Sequence, residues 1–218
     1  MMGEPYELPI RRFHIKNEVL IKNMPASIKR HHCWPGGWET HTLEVMNNVF
    51  MIHQNLCMSE ESLTQCPLNE ILTAAYIHDI DKVVYRYEED DTPPTYAQIK
   101  KAQMDGIEIH EKENKTSIGM KIGMMSEEGS IDPSRIGYHR WKKKALSLED
   151  GAAVAWIAAK NLIPMTDRML HAVCFHHGGY NPYVREMPAT ELNPMATILH
   201  AADILSSKIQ NGNIGNQQ

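Results

Sequence analysis

Apolar residues recur along the chain at helical spacing while alternating β-branched runs are nearly absent, so the pattern predicts an all-α fold. The first strong segment is ETHTLEVMNNVFMIHQNL, where His41, Val45, Val49 and Ile52 line one stripe. That stripe begins with a histidine. The second is LNEILTAAYIHDI after Pro67. Leu72, Ala75, Tyr76 and Asp79 share a face there, with Ile71, Ala74 and His78 beside it, so a carboxylate sits on the apolar side.

After Val84 the pattern dissolves. Residues 85–146 are charged, contain Pro93 and Pro94, and hold no sustained apolar stripe. A connection this long inside one domain reads as an insertion or lid. Helical order resumes at SLEDGAAVAWIAAKNL, with Ser147 as cap and Asp150, Ala153, Val154 and Ile157 on one face. TDRMLHAVCFHHGG starts at a capping Thr166, carries His176 and His177 in its last turn and stops at Gly178 and Gly179. PMATILHAADILSSK aligns Ala196, Leu199, Asp203 and Ser206, with His200 one turn before Asp203. No internal repeat is present. The expected organisation is one domain over 1–218, in which residues 147–208 return to the core built by residues 14–84.

Composition sharpens this picture. The chain has 218 residues, 42% hydrophobic and 22% charged, which excludes disordered and low-complexity classes. Lys+Arg 22 against Asp+Glu 27 leaves a net charge of −5, a poor balance for a protein devoted to duplex phosphates. The 4 cysteines, Cys33, Cys57, Cys66 and Cys174, form no Cys-x-x-Cys pair. With no signal-peptide pattern and no membrane-length apolar run, a cytoplasmic location is expected.

The 12 histidines point to metal ligation or proton transfer. Periodicity puts His41, the pair His78–Asp79, the pair His176–His177, and Asp203 on core-facing sides of separate helices. Unpaired carboxylates in an apolar interior cost several kcal/mol, and few Lys or Arg share these stripes. A divalent cation would neutralise them; mixed imidazole and carboxylate suits Mn, Fe, Co, Ni or Zn.

Four blocks occur in order: RHHCWPGGWETHTLEV, AAYIHDIDK, HAVCFHHGG and LHAADILSSK. In them the chain resembles the HD-domain superfamily of metal-dependent phosphohydrolases, an all-helical family named for a His-Asp doublet. The GG-x-x-x-HT segment and the HHG block are most similar to the branch with 3′→5′ exoribonucleases and the HD domains of relaxases. The resemblance covers most of the chain outside the insertion and implies an HD-type helical bundle. It makes His41, His78, Asp79 and Asp203 metal ligands, with Asp79 able to bridge two ions. His176 and His177 stand where later family histidines stand. Asp150 occupies the start of a helix where two-metal members carry another His, so it is either a carboxylate ligand or the third residue of a capping box with Ser147. Asp81 replaces the family's usual Gly; it coordinates, steers a water or points outward, and a rotation of about 200° from Asp79 favours outward. Lys82 matches a family lysine that assists phosphate or water.

The resemblance implies one or two divalent ions, Mg included among the options, and hydrolysis of a nucleotide or nucleic-acid phosphoester, mono- or diester, by metal-activated water. Asp79, Lys82 and Asp81 are the catalytic candidates, and the proton acceptor or donor for the leaving group is open between Asp81, Asp150 and a metal-bound group. Arg30, His31, His32 and His200 are candidates for gripping the substrate, a nucleotide or short single strand. The alternative is a degenerate module that binds a nucleotide or partner without turnover. A third reading, a nucleic-acid-processing accessory domain, draws on YHRWKKK (residues 138–144), whose plainer reading is a solvated helix face. His14 and His53 read as ordinary surface or core histidines, His171 as either that or a residue that supports the ligands without being one, His110 and His139 as insertion residues, and the Gly36–Gly37 pair as a tight turn delivering His41.

Overall fold

The computed structural model describes residues 3–27, 31–32, 36–56, 59–89, 107–112, 115–120, 139–141, 150–178 and 192–210. At residues 62, 63, 86–89, 107–112, 115–120, 139–141, 150 and 210 only the backbone is described. The fold is all-α. Its helices are α1 (Glu7–Lys16), α2 (Glu18–Asn23), α3 (Gly37–Leu56), α4 (Glu60–Gln65), α5 (Leu68–Ile77), α6 (Asp150–Lys160), α7 (Asp167–Phe175) and α8 (Pro194–Ile204). Widened π turns follow α5 at Lys82–Arg86 and α8 at Leu205–Gln210. No described helix is long and apolar enough to cross a membrane.

The helical stripes read from the sequence become the core. Val45 and Val49 of α3, Ile71, Leu72, Ala74 and Ala75 of α5, Val154 and Ile157 of α6, and Ala196 and Leu199 of α8 are buried in one apolar cluster. Residues on both sides of the insertion therefore share one core. Helices α1 and α2 add Ile10, Phe13 and Ile21 to it. The hydrophobic pattern missed these two because they are short and charge-rich, with Pro9 in the first turn of α1, where a missing N–H is tolerated.

Capping chemistry fixes the ends. Thr166 Oγ1 accepts from Met169 N, and Asn193 Oδ1 accepts from Met195 N and Ala196 N ahead of Pro194. Gly36 turns with φ +78°, and the next residue, Gly37, lies so close to the His32 carbonyl that a Cβ there would sit 2.1 Å from its oxygen. Both glycines of the pair are thus required, and α3 begins directly at the second of them. Trp38 is fully buried; its Nε1–H donates to Asp79 O at 2.9 Å, tying the first turn of α3 to the end of α5.

Helices α5 and α7 are pinned at their N-terminal ends. Glu70 of α5 accepts from Arg168 Nη2 at 3.0 Å, Arg168 Nε at 3.3 Å and Thr166 Oγ1 at 2.8 Å. This forked, charge-assisted contact sets the register of the two helices, so their C-terminal ends finish side by side. Outside the helices, two antiparallel ladders pair Tyr87–Glu89 with His139–Trp141 and Ile107–Lys112 with Lys115–Met120. The sequence pattern suggested no strand here. It also read residues 139–141 as part of a helix face, whereas they pair as a strand. The remaining insertion residues, including Lys142, Lys143 and Lys144, lie outside the described residues.

Candidate metal centre

Four helices and the turns that end two of them deliver the site. His41 lies in the second turn of α3, His78 and Asp79 follow the last residue of α5, His176 and His177 follow the last residue of α7, and Asp203 is near the end of α8. His41 Nε2 is 3.2 Å from Asp203 Oδ1, 3.7 Å from Asp79 Oδ2 and 3.3 Å from His78 Nε2; His78 Nε2 is 3.4 Å from Asp79 Oδ2. The His78 and His176 rings are 5.2 Å apart and the His176 and His177 rings 3.9 Å. Ligand atoms of His41, His78 and Asp79 lie within 4.8 Å of one another, and so do those of His176, His177 and Asp203.

The protonation pattern leaves lone pairs facing inward. His78 Nδ1 donates to Ala75 O at 2.6 Å and His176 Nδ1 to Val173 O at 2.7 Å, so in each neutral ring Nε2 is bare. His176 Nε2 is buried without a hydrogen-bond partner among the described residues. Burial holds the imidazoles of His41 and His176 neutral, the latter with its pKa pushed down to about 3. Burial pulls His78 the same way, yet Asp79 and Asp203 outweigh it and raise its pKa, so the centre favours a positive charge at that point. Burial also opposes the charge of Asp79 and Asp203. Lys82, His78 and His176 nonetheless hold Asp79 well below the usual carboxylate range, and His41, His78 and His176 do the same for Asp203. Two helix C-termini, with their negative dipole ends, close on the same space. Inward lone pairs, an orphaned buried nitrogen, two ionised carboxylates and two negative helix ends fit a cation, so these buried His/Asp groups could hold a metal ion. Lys82 supplies part of the compensation: Nζ is 2.5 Å from Asp79 Oδ2.

Asp81 corrects the sequence reading that favoured an outward side chain: it is buried. Every residue from 70 to 81 is buried, so this segment has no solvent side to which a rotation could send it. Regular α-helix also ends at Ile77, before the doublet, and a π turn begins at Lys82, which invalidates a uniform 100° step. His32 is likewise fully buried and bonds Glu44 Oε2 through Nε2 at 3.2 Å, an interior position unlike a substrate-gripping one. His31 is half-buried, 3.1 Å from His32 through the Nδ1 atoms and 4.8 Å ring to ring from His41; burial pushes its pKa down to about 3. His200 touches the site through backbone, donating from Nδ1 to His176 O at 2.5 Å. Gly178, with φ +54°, lies beneath the His200 ring, where a Cβ would meet Nε2 at 2.4 Å.

Arg30, Ser147, Gly179 and the side chain of Asp150 lie outside the described residues. Asp150 is the first residue of α6, and its neighbour Gly151 packs so closely on Cys174 that a Cβ would sit 2.5 Å from Sγ. The helix thus starts beside the end of α7. His53 is buried and bonds Cys66 O through Nε2, His14 bonds the Tyr76 hydroxyl, and His171 stacks edge-on against Phe175; the Nδ1 atoms of His53 and His171 are buried without a hydrogen-bond partner among the described residues.

Two polar residues escaped the sequence reading. Ser206 Oγ is 2.8 Å from His41 Nδ1 and donates to Glu44 Oε2 at 2.7 Å. The clue for Glu44 was its position three residues after His41 on the same helical face, and for Ser206 its alignment with Asp203. No protein-family model matches the chain, nor does any curated protein or solved structure.

Proposed function

We propose that the chain is a metal-dependent phosphohydrolase of the HD type, hydrolysing a phosphoester of a nucleotide or nucleic acid. The observation that carries this reading is the convergence of His41, His78, Asp79, His176 and Asp203, with the Nε2 atoms of His41 and His78 and the two ionised carboxylates turned to one another and His176 Nε2 buried without a partner among the described residues. These residues, with His177, would hold one or two divalent ions of the Mn, Fe, Co, Ni or Zn kind, or Mg. The chemistry such an ion supplies when bound is Lewis acidity and water acidified to a pKa near 7. His78 and His176 keep their Nδ1 protons on backbone carbonyls, so His176, held neutral, offers a lone pair at Nε2, and His78 does so once an entering cation displaces its second proton. Lys82, mostly buried with its ammonium on Asp79, carries the positive charge that a phosphate oxygen would meet at this edge of the centre.

The same Lys82–Asp79 contact favours a second reading, a degenerate module that binds a nucleotide or partner without turnover, since an ammonium already satisfies the central carboxylate. Elemental analysis of the purified chain, followed by incubation of metal-loaded protein with bis-p-nitrophenyl phosphate, nucleotides and short single strands, separates the two. Bound metal with product release supports the hydrolase. Nucleotide binding with no product from folded, metal-loaded protein supports the degenerate module instead.

A further inference from the structure

His41 differs from the candidate ligands His78 and His176. His78 and His176 each give the Nδ1 proton to a carbonyl three residues back in their own helix. His41 lies inside α3, and its Nδ1 meets the hydroxyl of Ser206, 165 residues away in sequence. A hydroxyl has one hydrogen and can turn either way. Glu44, ionised and able only to accept, takes that hydrogen at Oε2 across 2.7 Å, which leaves an oxygen lone pair facing His41 Nδ1 at 2.8 Å. The ring hydrogen of neutral His41 therefore sits on Nδ1, and Nε2 is bare toward Asp79, Asp203 and His78.

The competing tautomer has an acceptor of its own. Asp203 Oδ1 is 3.2 Å from His41 Nε2, so a hydrogen placed there would bond the carboxylate and remove the lone pair a metal needs. Two acceptors thus compete for a single hydrogen, and the direction of the Ser206 hydroxyl decides between them. The oxygen of Glu44 that sets this direction also receives His32 Nε2 at 3.2 Å, and His32 in turn meets His31 at 3.1 Å.

We propose that Glu44 is a positioning residue of the centre: through Ser206 it holds His41 in the tautomer that presents Nε2 as a ligand, and through His32 it anchors the segment before α3 to the same point. This rests on the metal-centre reading above, and two readouts separate the fates of the two ideas. Nitrogen NMR of metal-free wild-type protein is expected to show His41 protonated at Nδ1. In Glu44→Ala the freed hydroxyl turns to donate, and His41 shifts to the Nε2–H form. Calorimetric titration with zinc should then give an affinity lower by roughly ten- to hundredfold. Glu44→Gln retains an accepting oxygen and is expected to restore both the tautomer and the affinity, a rescue that a merely space-filling role would not need. Should Glu44→Ala fail to fold, Ser206→Ala against Ser206→Thr asks the same question, with Thr expected to match wild type. An Nδ1–H tautomer and a zinc affinity both unchanged in Glu44→Ala or Ser206→Ala overturn the relay while leaving the metal centre intact. A tautomer switch in a protein that binds no divalent ion overturns the metal centre and upholds the relay.

Discussion

His78 and His176 are built alike: each is the first residue beyond its helix, each donates Nδ1–H to the carbonyl three residues earlier, and their rings meet at 5.2 Å. What makes the pairing possible is distant from it. Glu70 and Arg168 each lie eight residues before one of these histidines and hold the opposite ends of the two helices together.

Glu70→Ala is therefore expected to act at both ends of the helix pair. Removing the carboxylate strips Thr166 Oγ1 and both Arg168 nitrogens of their acceptor, and a loss of about 1–3 kcal/mol in unfolding free energy follows from breaking charge-assisted bonds at a mostly buried group. Urea denaturation measures it. An unchanged midpoint would mean that apolar packing alone sets the register of the helices.

Gly178→Ala tests the seating of His176. The left-handed backbone alone costs a non-glycine residue about 1–2 kcal/mol, and the new methyl meets the His200 ring as well. Adding His200→Ala removes the second cost but not the first. A double-mutant cycle should accordingly show a favourable coupling between the substitutions. Strict additivity would show that His200 moves aside freely and does not seat the His176 carbonyl.

The parts of this molecule legible in the sequence were those with a period. The stripes through Val45, Leu72, Val154 and Leu199 repeat at helical spacing, the cap at Thr166 and the stop at Gly178 have distinctive local chemistry, and the structure has both. His41, His78, Asp79, His176, His177 and Asp203 could be placed on core-facing sides for the same reason. Asp81 was misread because periodicity assigns an outside only to a helix that has one, and the end of α5 is enclosed all round. Glu44 and Ser206 were passed over because their roles depend on a contact across 162 residues that no local pattern encodes. The strands within residues 85–146 carry no clean alternation and rest on pairing between distant segments, as Tyr87 with Trp141 illustrates.

Acid should destabilise the metal-free protein. His31 and His176 have folded-state pKa values near 3 and His41 is lowered too, against about 6.5 in the unfolded chain, so between those limits the unfolded state binds more protons. Stability then falls as pH drops from about 6.5 toward 3. His78, shifted upward, is charged in both states below about 6.5 and adds no slope in this range. His31 and His176 alone leave the unfolded chain about two protons richer near pH 5, or about 2.7 kcal/mol per pH unit. Asp79, Asp203 and Glu44, all held low, extend the loss below about pH 4. Chemical denaturation at a series of pH values gives the slope, and a flat profile from pH 6.5 to 4 would contradict the assigned neutral imidazoles.

Lys82 distinguishes an occupied centre from a closed one. In the metal-free protein its ammonium lies 2.5 Å from Asp79 Oδ2, so a cation entering beside Asp79 competes with a positive charge already there. Lys82→Met removes the competitor while keeping an apolar stem of similar length. If Asp79 is a ligand, divalent-ion affinity should rise in this variant, by roughly tenfold for each 1.4 kcal/mol of relieved repulsion. If the proposed hydrolase reading holds, turnover of a phosphoester should fall at the same time, because the charge it assigns to the phosphate is gone. Asp79→Ala is expected to lose metal and activity together. The opposite pattern for Lys82→Met, unchanged ion binding with loss of folding stability, would mean that the ion pair is the finished structure and that Asp79 serves Lys82 alone.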